Sequence, residues 1–237
     1  MEVFGKSFEI EGLKLSLELD YSSRMPEDAI GFYMDDEALR KERQPLYLMY
    51  RSIERLNSDA KRIADKHDLT LNLTLLRPGF VGKEYIRTIG HYHINVPGTN
   101  DSYPEIYEVL SGEGAFLLQH RNMKIFKFVK IKKGDKVFIA PNYGHILVNT
   151  GKEALLTLDI NARESMQHDY ETVKKRHGFC YYLIKGEKFI KNPNYDFFPE
   201  INKIRPKQML SDKQLDQIFL EKPEFFEKLL KNKIHFS

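Results

Sequence analysis

Residues 90–114, GHYHINVPGTNDSYPEIYEVLSGEG, place two histidines and several carboxylates on what we predict to be neighbouring β-strands. In a strand, residues two positions apart point to the same face, so His91 and His93 would project together. Neutral imidazole is a common metal ligand. Taken alone, an H-x-H pair is weak evidence for a metal, because most matches to so short a motif have no function. The meaning of the pair therefore depends on the rest of the chain.

From about residue 45 onward the chain consists of short segments rich in β-branched and aromatic residues. Examples are LTLNLTLL at 69–76 and KIFKFVKI at 124–131. Turn signals such as Pro78-Gly79 separate these segments. Such regular spacing without intervening helices is typical of an antiparallel sandwich or barrel. Residues 13–19, LKLSLEL, alternate strictly and predict a further half-buried strand.

Helical patterns lie near both ends of the chain. Residues 35–43, DDEALRKER, predict a short helix with acids first and bases last, as the helix dipole prefers. Ser211 and Gln214 form an S-x-x-Q capping box before a stretch with helical apolar spacing, and Pro223 can open a second helix. We therefore predict a mainly β protein with a strand-helix arm at 1–44, a barrel domain at 45–200 and a helical extension at 201–237.

The overall charge argues against some partners. A net charge of +3 is too balanced to favour nucleic acid or a membrane surface. The N-terminal residues lack the pattern of a signal peptide, and no apolar run approaches the length of a membrane span. The single cysteine, Cys180, rules out a disulfide within the chain. We therefore expect a cytoplasmic protein that contacts neither nucleic acid nor membrane.

Two further spacings change the interpretation of the histidine pair. Glu105 begins the next predicted strand, and Gly112 follows it with six residues between. Farther along, Gly134 is followed by His145 and then by Asn149. These spacings resemble the two motifs of the cupin superfamily, whose fold is a double-stranded β-helix, or jelly-roll barrel. The resemblance implies four metal ligands: His91, His93, Glu105 and His145.

The connection between the second histidine and the glutamate differs from that in many cupins. Here INVPGTNDSYP lengthens it, so that Glu108 competes with Glu105 as the ligand. We favour Glu105, because its distance from Gly112 fits the motif and because it shares a strand face with Tyr107. Glu108 would then lie on the opposite, solvated face.

The chemistry of these ligands restricts the metal. Three imidazoles and a carboxylate are harder ligands than thiolates and suit first-row divalent cations. We expect one divalent metal per subunit, with Fe(II) favoured and Mn(II), Ni(II), Co(II) and Zn(II) as alternatives. Six-coordinate geometry would leave two positions open, which suits a substrate that chelates through adjacent oxygens.

The resemblance extends well beyond the metal motif. RPGFVGKEYIRTIGHYH (77–93), PEIYEVLSGEGAFLLQ (104–119) and HDYETVKKRHGF (168–179) are similar to blocks of the cupin-type, or archaeal-type, glucose-6-phosphate isomerases, over roughly residues 25 to 195. The resemblance implies interconversion of glucose 6-phosphate and fructose 6-phosphate through a cis-enediol. It also implies a homodimer that acts in glycolysis and gluconeogenesis.

The resemblance also implies roles for single residues. The phosphate would contact Thr74, Thr88 and Gly90, with Tyr47 nearby. Tyr107 shares the predicted strand face of Glu105 and is a further candidate to line the pocket, with core packing as the alternative. Glu105 would be a catalytic base as well as a ligand, although coordination lowers its basicity, and a metal-assisted hydride shift is the alternative route. His168 and Tyr170 would contact the sugar or assist ring opening. Asn161 stands where the family has an aromatic residue near the phosphate.

Three other functions compete with this interpretation. A cupin Fe(II) dioxygenase would use the open metal positions for oxygen. A different sugar-phosphate isomerase would share the metal chemistry with another substrate. A non-enzymatic sugar-binding cupin would bind its ligand without turnover, because fold does not imply function.

Overall fold

A computed structural model describes residues 1–207 and 210–231. Its strands are β1 (Glu2–Val3), β2 (Lys6–Ser7), β3 (Ile10–Glu11), β4 (Lys14–Leu15), β5 (Ser22–Arg24), β6 (Tyr47–Tyr50), β7 (Leu69–Leu76), β8 (Phe80–Val81), β9 (Glu84–Tyr85), β10 (Tyr92–His93), β11 (Glu105–Ser111), β12 (Glu113–His120), β13 (Phe126–Lys132), β14 (Lys136–Ile139), β15 (Tyr143–Val148), β16 (Leu155–Ala162), β17 (His168–Asp169), β18 (Tyr181–Ile184), β19 (Lys188–Lys191) and β20 (Ile201–Ile204). Its helices are α1 (Asp36–Lys41), α2 (Ser58–His67), α3 (Glu171–Lys174), α4 (Leu215–Glu221) and α5 (Pro223–Leu230).

Two sheets enclose the main core. One has six strands in the order β14-β11-β16-β7-β6-β5, and the other has four in the order β15-β12-β13-β20. Side chains from both sheets, such as Met49 and Phe116, meet in one buried cluster. Every strand pair formed by the described residues is antiparallel except β13 with β20. The predicted mainly β barrel is confirmed.

Strand β7 is buried along its whole length because both faces of the six-stranded sheet are covered. Leu71, Leu73 and Leu75 belong to a second core on the outer face, whereas Thr74 lines a cavity inside the barrel. The alternation of leucine with polar residues therefore does not mark a solvated face here. It places polar groups in the barrel interior.

Helices α2, α4 and α5 cover the outer face of the six-stranded sheet, where they share the second core. Helix α2 was not predicted, because its ten residues include few large apolar side chains. Its start is fixed locally, since the side chain of Asn57 accepts hydrogen bonds from the amides of Asp59 and Ala60. Among the described residues, no helix is long and apolar enough to cross a membrane.

The C-terminal extension contains the two predicted helices, but the predicted capping box is wrong. Helix α4 starts at Leu215, with Gln214 as its N-cap, so Ser211 lies too far upstream. The Gln214 amide donates instead to the carbonyl of Glu2 and to Asp216 Oδ1, at 2.9 Å in both cases. Residues 208–209 and 232–237 of the predicted extension lie outside the described residues.

The N-terminal arm agrees with prediction at its helix and disagrees at its strand. Helix α1 spans Asp36–Lys41, and Asp35 caps it by accepting from the Ala38 amide. The strand predicted at 13–19 is wrong in extent, because only Lys14–Leu15 pairs, with β3. Of the four alternating leucines, only Leu15 is buried. Without a longer partner strand, the alternating pattern cannot form a ladder.

Candidate metal centre

One cavity inside the barrel collects the polar residues of several strands. The lining residues with polar or aromatic side chains, together with one glycine, are Tyr47, Arg51, Thr74, Thr88, Gly90, His91, Glu105, Tyr107, His145, Asp159, Asn161, His168 and Tyr170. Every residue predicted for catalysis or for substrate binding lies among them. The structure therefore brings these predicted residues to one place, and their roles remain predictions.

The four predicted metal ligands converge beside this cavity. His91, His93, Glu105 and His145 each offer a ligand atom, and these atoms all lie within 4.8 Å of one another. His91 and His145 stand opposite each other in an antiparallel bridge, while His93 lies on β10 and Glu105 begins β11. Residues far apart in the chain thus meet because their strands are neighbours.

The local chemistry fits a bound cation. His91 Nε2, His93 Nε2 and Glu105 Oε2 are buried and have no hydrogen-bond partner among the described residues. Glu105 Oε2 lies 3.1 Å from His145 Nε2 and 3.4 Å from His93 Nε2, but without hydrogen-bonding geometry. Leaving buried polar atoms unpaired is costly. A divalent cation among these atoms would remove that cost.

The electrostatics favour the protonation states that a metal needs. Burial and then the neighbouring imidazoles lower the pKa of His91 well below its usual value, and burial also lowers the pKa of His93. Burial alone would raise the pKa of Glu105, but His145, His93 and Asn161 together outweigh it and lower that pKa. Neutral imidazoles and an ionised carboxylate are the forms that bind metals.

A chain of hydrogen bonds links Glu105 through Asn161 to Asp159 and Asn72. Asn161 Nδ2 donates to Glu105 Oε1 at 2.8 Å and to Asp159 Oδ2 at 2.6 Å, and Asn72 Nδ2 donates to the same Asp159 oxygen at 2.7 Å. Burial, followed by the charge of Glu105, raises the pKa of Asp159. With Oε1 occupied by Asn161, only Oε2 of Glu105 faces the histidines.

The insert at 94–104 supports the second histidine. It folds back on itself, with Asn95 and Ser102 opposite each other and the Tyr103 amide bonded to the Ile94 carbonyl. The Tyr103 carbonyl lies 2.8 Å from His93 Nδ1. A carbonyl can only accept, so Nδ1 carries the proton and Nε2 is left free toward the cluster. The insert therefore orients the ring of a candidate metal ligand.

Glu108, the competing ligand, lies on the opposite face of β11, but it is not solvated as predicted. It is buried, and its Oε2 accepts from the Leu215 amide at 2.6 Å, while Oε1 lies 3.4 Å from Lys136 Nζ. The C-terminal helices cover this face, which the sequence pattern of β11 alone does not reveal. Glu108 therefore attaches the tail and lies away from the metal cluster.

Thr88 and Gly90 occupy the wall beside β15. The Thr88 hydroxyl accepts from the Leu147 amide at 3.0 Å, which leaves its own proton available for a ligand. Gly90 has a φ of +73°, and a Cβ there would lie 2.5 Å from Ile146 Cγ1, so a side chain does not fit. This close packing is sufficient to require glycine.

His168 and Tyr170 close the cavity from the other side. The His168 ring stacks on that of His91 with centroids 3.9 Å apart, and its Nδ1 lies 3.0 Å from the Tyr170 hydroxyl. Burial lowers the pKa of His168 to about 3, so its ring is neutral. The structure places both residues in the cavity wall.

Sequence reasoning missed three polar residues of this site: Arg51, Asn72 and Asp159. Asn72 and Asp159 are paired across β7 and β16 and are almost fully buried. The sequence does mark Asn72 and Asp159 as unusual, because each is a polar residue in a strand rich in leucine. A buried polar group needs hydrogen-bond partners. Without the neighbouring strands, that signal identifies no partner.

The barrel and the four-residue cluster inside it define a β-barrel protein with a candidate metal centre of the cupin type. A model of the family "Glucose-6-phosphate isomerase (GPI)" matches residues 23–200. The chain belongs to this family, and the predicted family and enzyme class are confirmed.

Several archaeal relatives are similar in sequence to this chain over most of their own length. The glucose-6-phosphate isomerase of Thermococcus onnurineus is 34% identical over 174 residues, which is 71% of this chain and 84% of the relative. That of Pyrococcus furiosus is 31% identical over 193 residues, covering 78% of this chain and 90% of the relative. That of Thermococcus litoralis is 29% identical over 196 residues, covering 78% and 95%.

Solved structures resemble parts of the chain more distantly. Oxalate decarboxylase from Bacillus subtilis matches with a TM-score of 0.36 and 18% identity, over 52% of this chain and 28% of that chain. The capsular polysaccharide assembling protein CapF from Staphylococcus aureus matches with a TM-score of 0.33 and 21% identity, over 42% and 24%. Structural similarity with TM-scores this low supports no conclusion about the function of this chain.

Proposed function

We propose that this protein interconverts glucose 6-phosphate and fructose 6-phosphate with a divalent metal held by His91, His93, Glu105 and His145. The observation that carries the proposal is the convergence of buried, unpartnered ligand atoms in the cavity of a chain that belongs to the isomerase family. The candidate phosphate contacts Thr74, Thr88 and Gly90 line the same cavity, which favours a sugar phosphate over the substrates of a dioxygenase.

The reaction moves a proton between C2 and C1 of the open-chain sugar through a cis-enediol. A bound cation would supply Lewis-acid stabilisation of the charge on the oxygens at C1 and C2. His168 and Tyr170, whose Nδ1 and hydroxyl lie 3.0 Å apart, would open the ring by taking the proton of the C1 hydroxyl and delivering a proton to the ring oxygen. Tyr47 and Tyr107 line the same cavity and are further candidate contacts of the sugar phosphate.

Two residues are candidates for the base that moves the carbon-bound proton. Glu105 is the base that the family resemblance implies, but Asn161 occupies one of its oxygens and the other faces the histidines. His168 is neutral and has one ring nitrogen free of described partners, so it is the alternative. If a base carries the proton, turnover in deuterated water labels the product at carbon. Label-free product would support a hydride shift.

A coupled assay for glucose 6-phosphate formed from fructose 6-phosphate tests the function. His145→Asn removes one ligand, and we expect loss of bound metal and of activity together. The matched control is His177→Asn, because His177 is exposed and has a φ of +52°, which asparagine tolerates. Unchanged metal content in His145→Asn, or an inactive metal-loaded wild type, would contradict the proposal.

We propose Fe(II) as the metal, with Mn(II), Ni(II), Co(II) and Zn(II) as alternatives. Three imidazoles and one carboxylate support any of these cations. Anaerobic reconstitution of metal-free protein with each cation, followed by activity and metal analysis, ranks them. The highest activity with another cation would replace Fe(II) in the proposal.

We further propose a homodimer. Exposed strand edges favour pairing between chains, and Phe197, which precedes the barrel's edge strand β20 in the chain, is 58% exposed. Sedimentation velocity should give twice the mass of the 27.9 kDa chain. A concentration-independent monomer would contradict this proposal without affecting the metal site.

A further inference from the structure

Arg51 is the only lysine or arginine among the described residues that line the cavity. It directly follows β6, and Tyr47, Met49 and Arg51 all line the cavity at the two-residue spacing of a strand face. Met49 pairs with Thr74 on β7. Arg51 therefore lies on the same wall as a candidate phosphate contact, one strand away.

Among the residues that the structure describes, no carboxylate forms an ion pair with the guanidinium of Arg51. Several arginines form ion pairs: Arg40, Arg62, Arg77, Arg87, Arg121 and Arg163. Arg51 forms none within residues 1–207 and 210–231. It donates one hydrogen bond, from Nη2 to Met49 Sδ at 3.2 Å, and a thioether is a weak acceptor. Most of its five donors remain available to a ligand.

The nearby carboxylate does not substitute for such a partner. Asp159 also lines the cavity, but its Oδ2 accepts from the amides of Asn72 and Asn161 and no ion pair joins it to Arg51. Glu105 is held by Asn161 on one oxygen, and its other oxygen faces the histidine cluster as a candidate metal ligand. Arg51 is thus a half-buried cation whose natural partner is an anion that enters the cavity.

The positive charge of Arg51 acts on Tyr170, in the wall that closes the cavity. Burial raises the pKa of Tyr170 to about 12, and the charge of Arg51 opposes this rise. His168 and Tyr170 belong to the wall that closes the cavity, so a ligand between the walls would lie in the field of Arg51.

We propose that Arg51 binds the phosphate group of the substrate, together with the hydroxyl of Thr74. The proposal rests on the proposed function and adds to it a charged residue that selects phosphorylated over neutral sugars. Threonine hydroxyls and a glycine amide are neutral donors, whereas a guanidinium offers two parallel charged hydrogen bonds to phosphate oxygens.

The test compares Arg51→Met with Arg55→Met, because Arg55 is exposed on the same segment and outside the cavity. Loss of a charged hydrogen bond should raise KM for fructose 6-phosphate by roughly tenfold to a hundredfold in Arg51→Met. The change in kcat should be smaller, because the phosphate is remote from the reacting carbons. Inorganic phosphate should inhibit the wild type competitively, and its inhibition constant should rise in Arg51→Met. Arg51→Lys should recover part of both losses.

Equal KM values and equal inhibition constants in Arg51→Met, Arg55→Met and wild type would overturn the proposal. Thermal denaturation of each variant separates loss of binding from loss of folding. If the metal-loaded wild type shows no isomerase activity, the proposed function fails, and calorimetric titration with inorganic phosphate still tests Arg51. Weaker phosphate binding in Arg51→Met than in Arg55→Met would then support the anion site. Equal binding, or none to the wild type, would refute it.

Discussion

Asn161 controls the orientation of the candidate ligand Glu105 through a single amide. Its Nδ2 holds Glu105 Oε1 at 2.8 Å and is itself fixed by Asp159. Loss of a group that orients a ligand typically costs about tenfold to a hundredfold in metal affinity. We expect such a loss in Asn161→Ala, measured by competition with a chelating dye. Asn202→Ala, at an exposed position of β20, should bind metal like the wild type.

Unchanged affinity in Asn161→Ala would show that the histidines alone position the metal. Asn161→Asp provides a second comparison, because it keeps the size of the side chain and removes the donor. Both variants should weaken binding if the hydrogen bond to Glu105 is what matters.

His168 gives the metal-free protein a predictable response to acid. Burial lowers its folded pKa to about 3, whereas the unfolded chain titrates near the ordinary value of about 6.5. Below the unfolded value, the unfolded chain binds a proton that the folded protein does not, so stability falls as pH falls. Relative to His168→Asn, the wild type should lose at most about 1.4 kcal/mol per pH unit below pH 6.5.

Urea denaturation of both metal-free proteins at several pH values between 7 and 5 measures this difference. Taking the difference removes opposing groups such as Asp159, whose raised pKa contributes equally to both proteins. A difference in unfolding free energy that stays constant with pH would mean that His168 is not desolvated in solution.

The sequence predicted the four candidate ligands because their spacing is a local property of two motifs. Their supporting residues could not be predicted in this way. Asn161 and Asp159 lie in a strand whose eight residues are all buried, so no alternation marks their direction. Their partners Glu105 and Asn72 come from other strands, and only the register between strands brings them together.

At the scale of elements, Glu108 joins strand β11 to helix α4. Its carboxylate accepts from the first amide of that helix, Leu215, and lies near Lys136. Glu108→Ala leaves both groups buried without this acceptor, which should cost about 1–3 kcal/mol of unfolding free energy. Chemical denaturation measures the loss, and Glu113→Ala, at an exposed position of the neighbouring strand β12, should change stability far less.

Metal content in Glu108→Ala distinguishes this structural role from the competing ligand role. We expect the same metal content as in the wild type, because Glu108 lies on the opposite face of the strand from the cluster. Loss of metal from folded Glu108→Ala would mean that the ligand assignment to Glu105 is wrong.

Strands with a regular alternating or apolar pattern were predicted well, and Leu69–Leu76 agrees to the residue. Elements that form only through tertiary contacts were not predicted well. Helix α2 is stabilised mainly by docking on the outer sheet face, through small residues such as Ala60 and Ala64. The pattern at 13–19 fails for the converse reason, because a strong alternation there finds no long partner strand.

At the scale of the whole molecule, the six-stranded sheet separates two tasks. Its inner face borders the cavity and supplies one of the four candidate ligands, Glu105, and its outer face carries the helices and the tail. The similarity noticed over roughly residues 25 to 195 agrees with the family match over 23–200. Local motifs could identify the barrel, but not that the tail covers its outer face, because that contact joins distant residues.

The most direct test of the central claim is a titration of metal-free protein with Fe(II) under anaerobic conditions, followed by the isomerase assay at each step. If the four-residue cluster is the active metal centre, activity rises from near zero in proportion to bound metal and levels off at one equivalent per subunit. Full activity in protein shown by elemental analysis to be free of metal would contradict the claim.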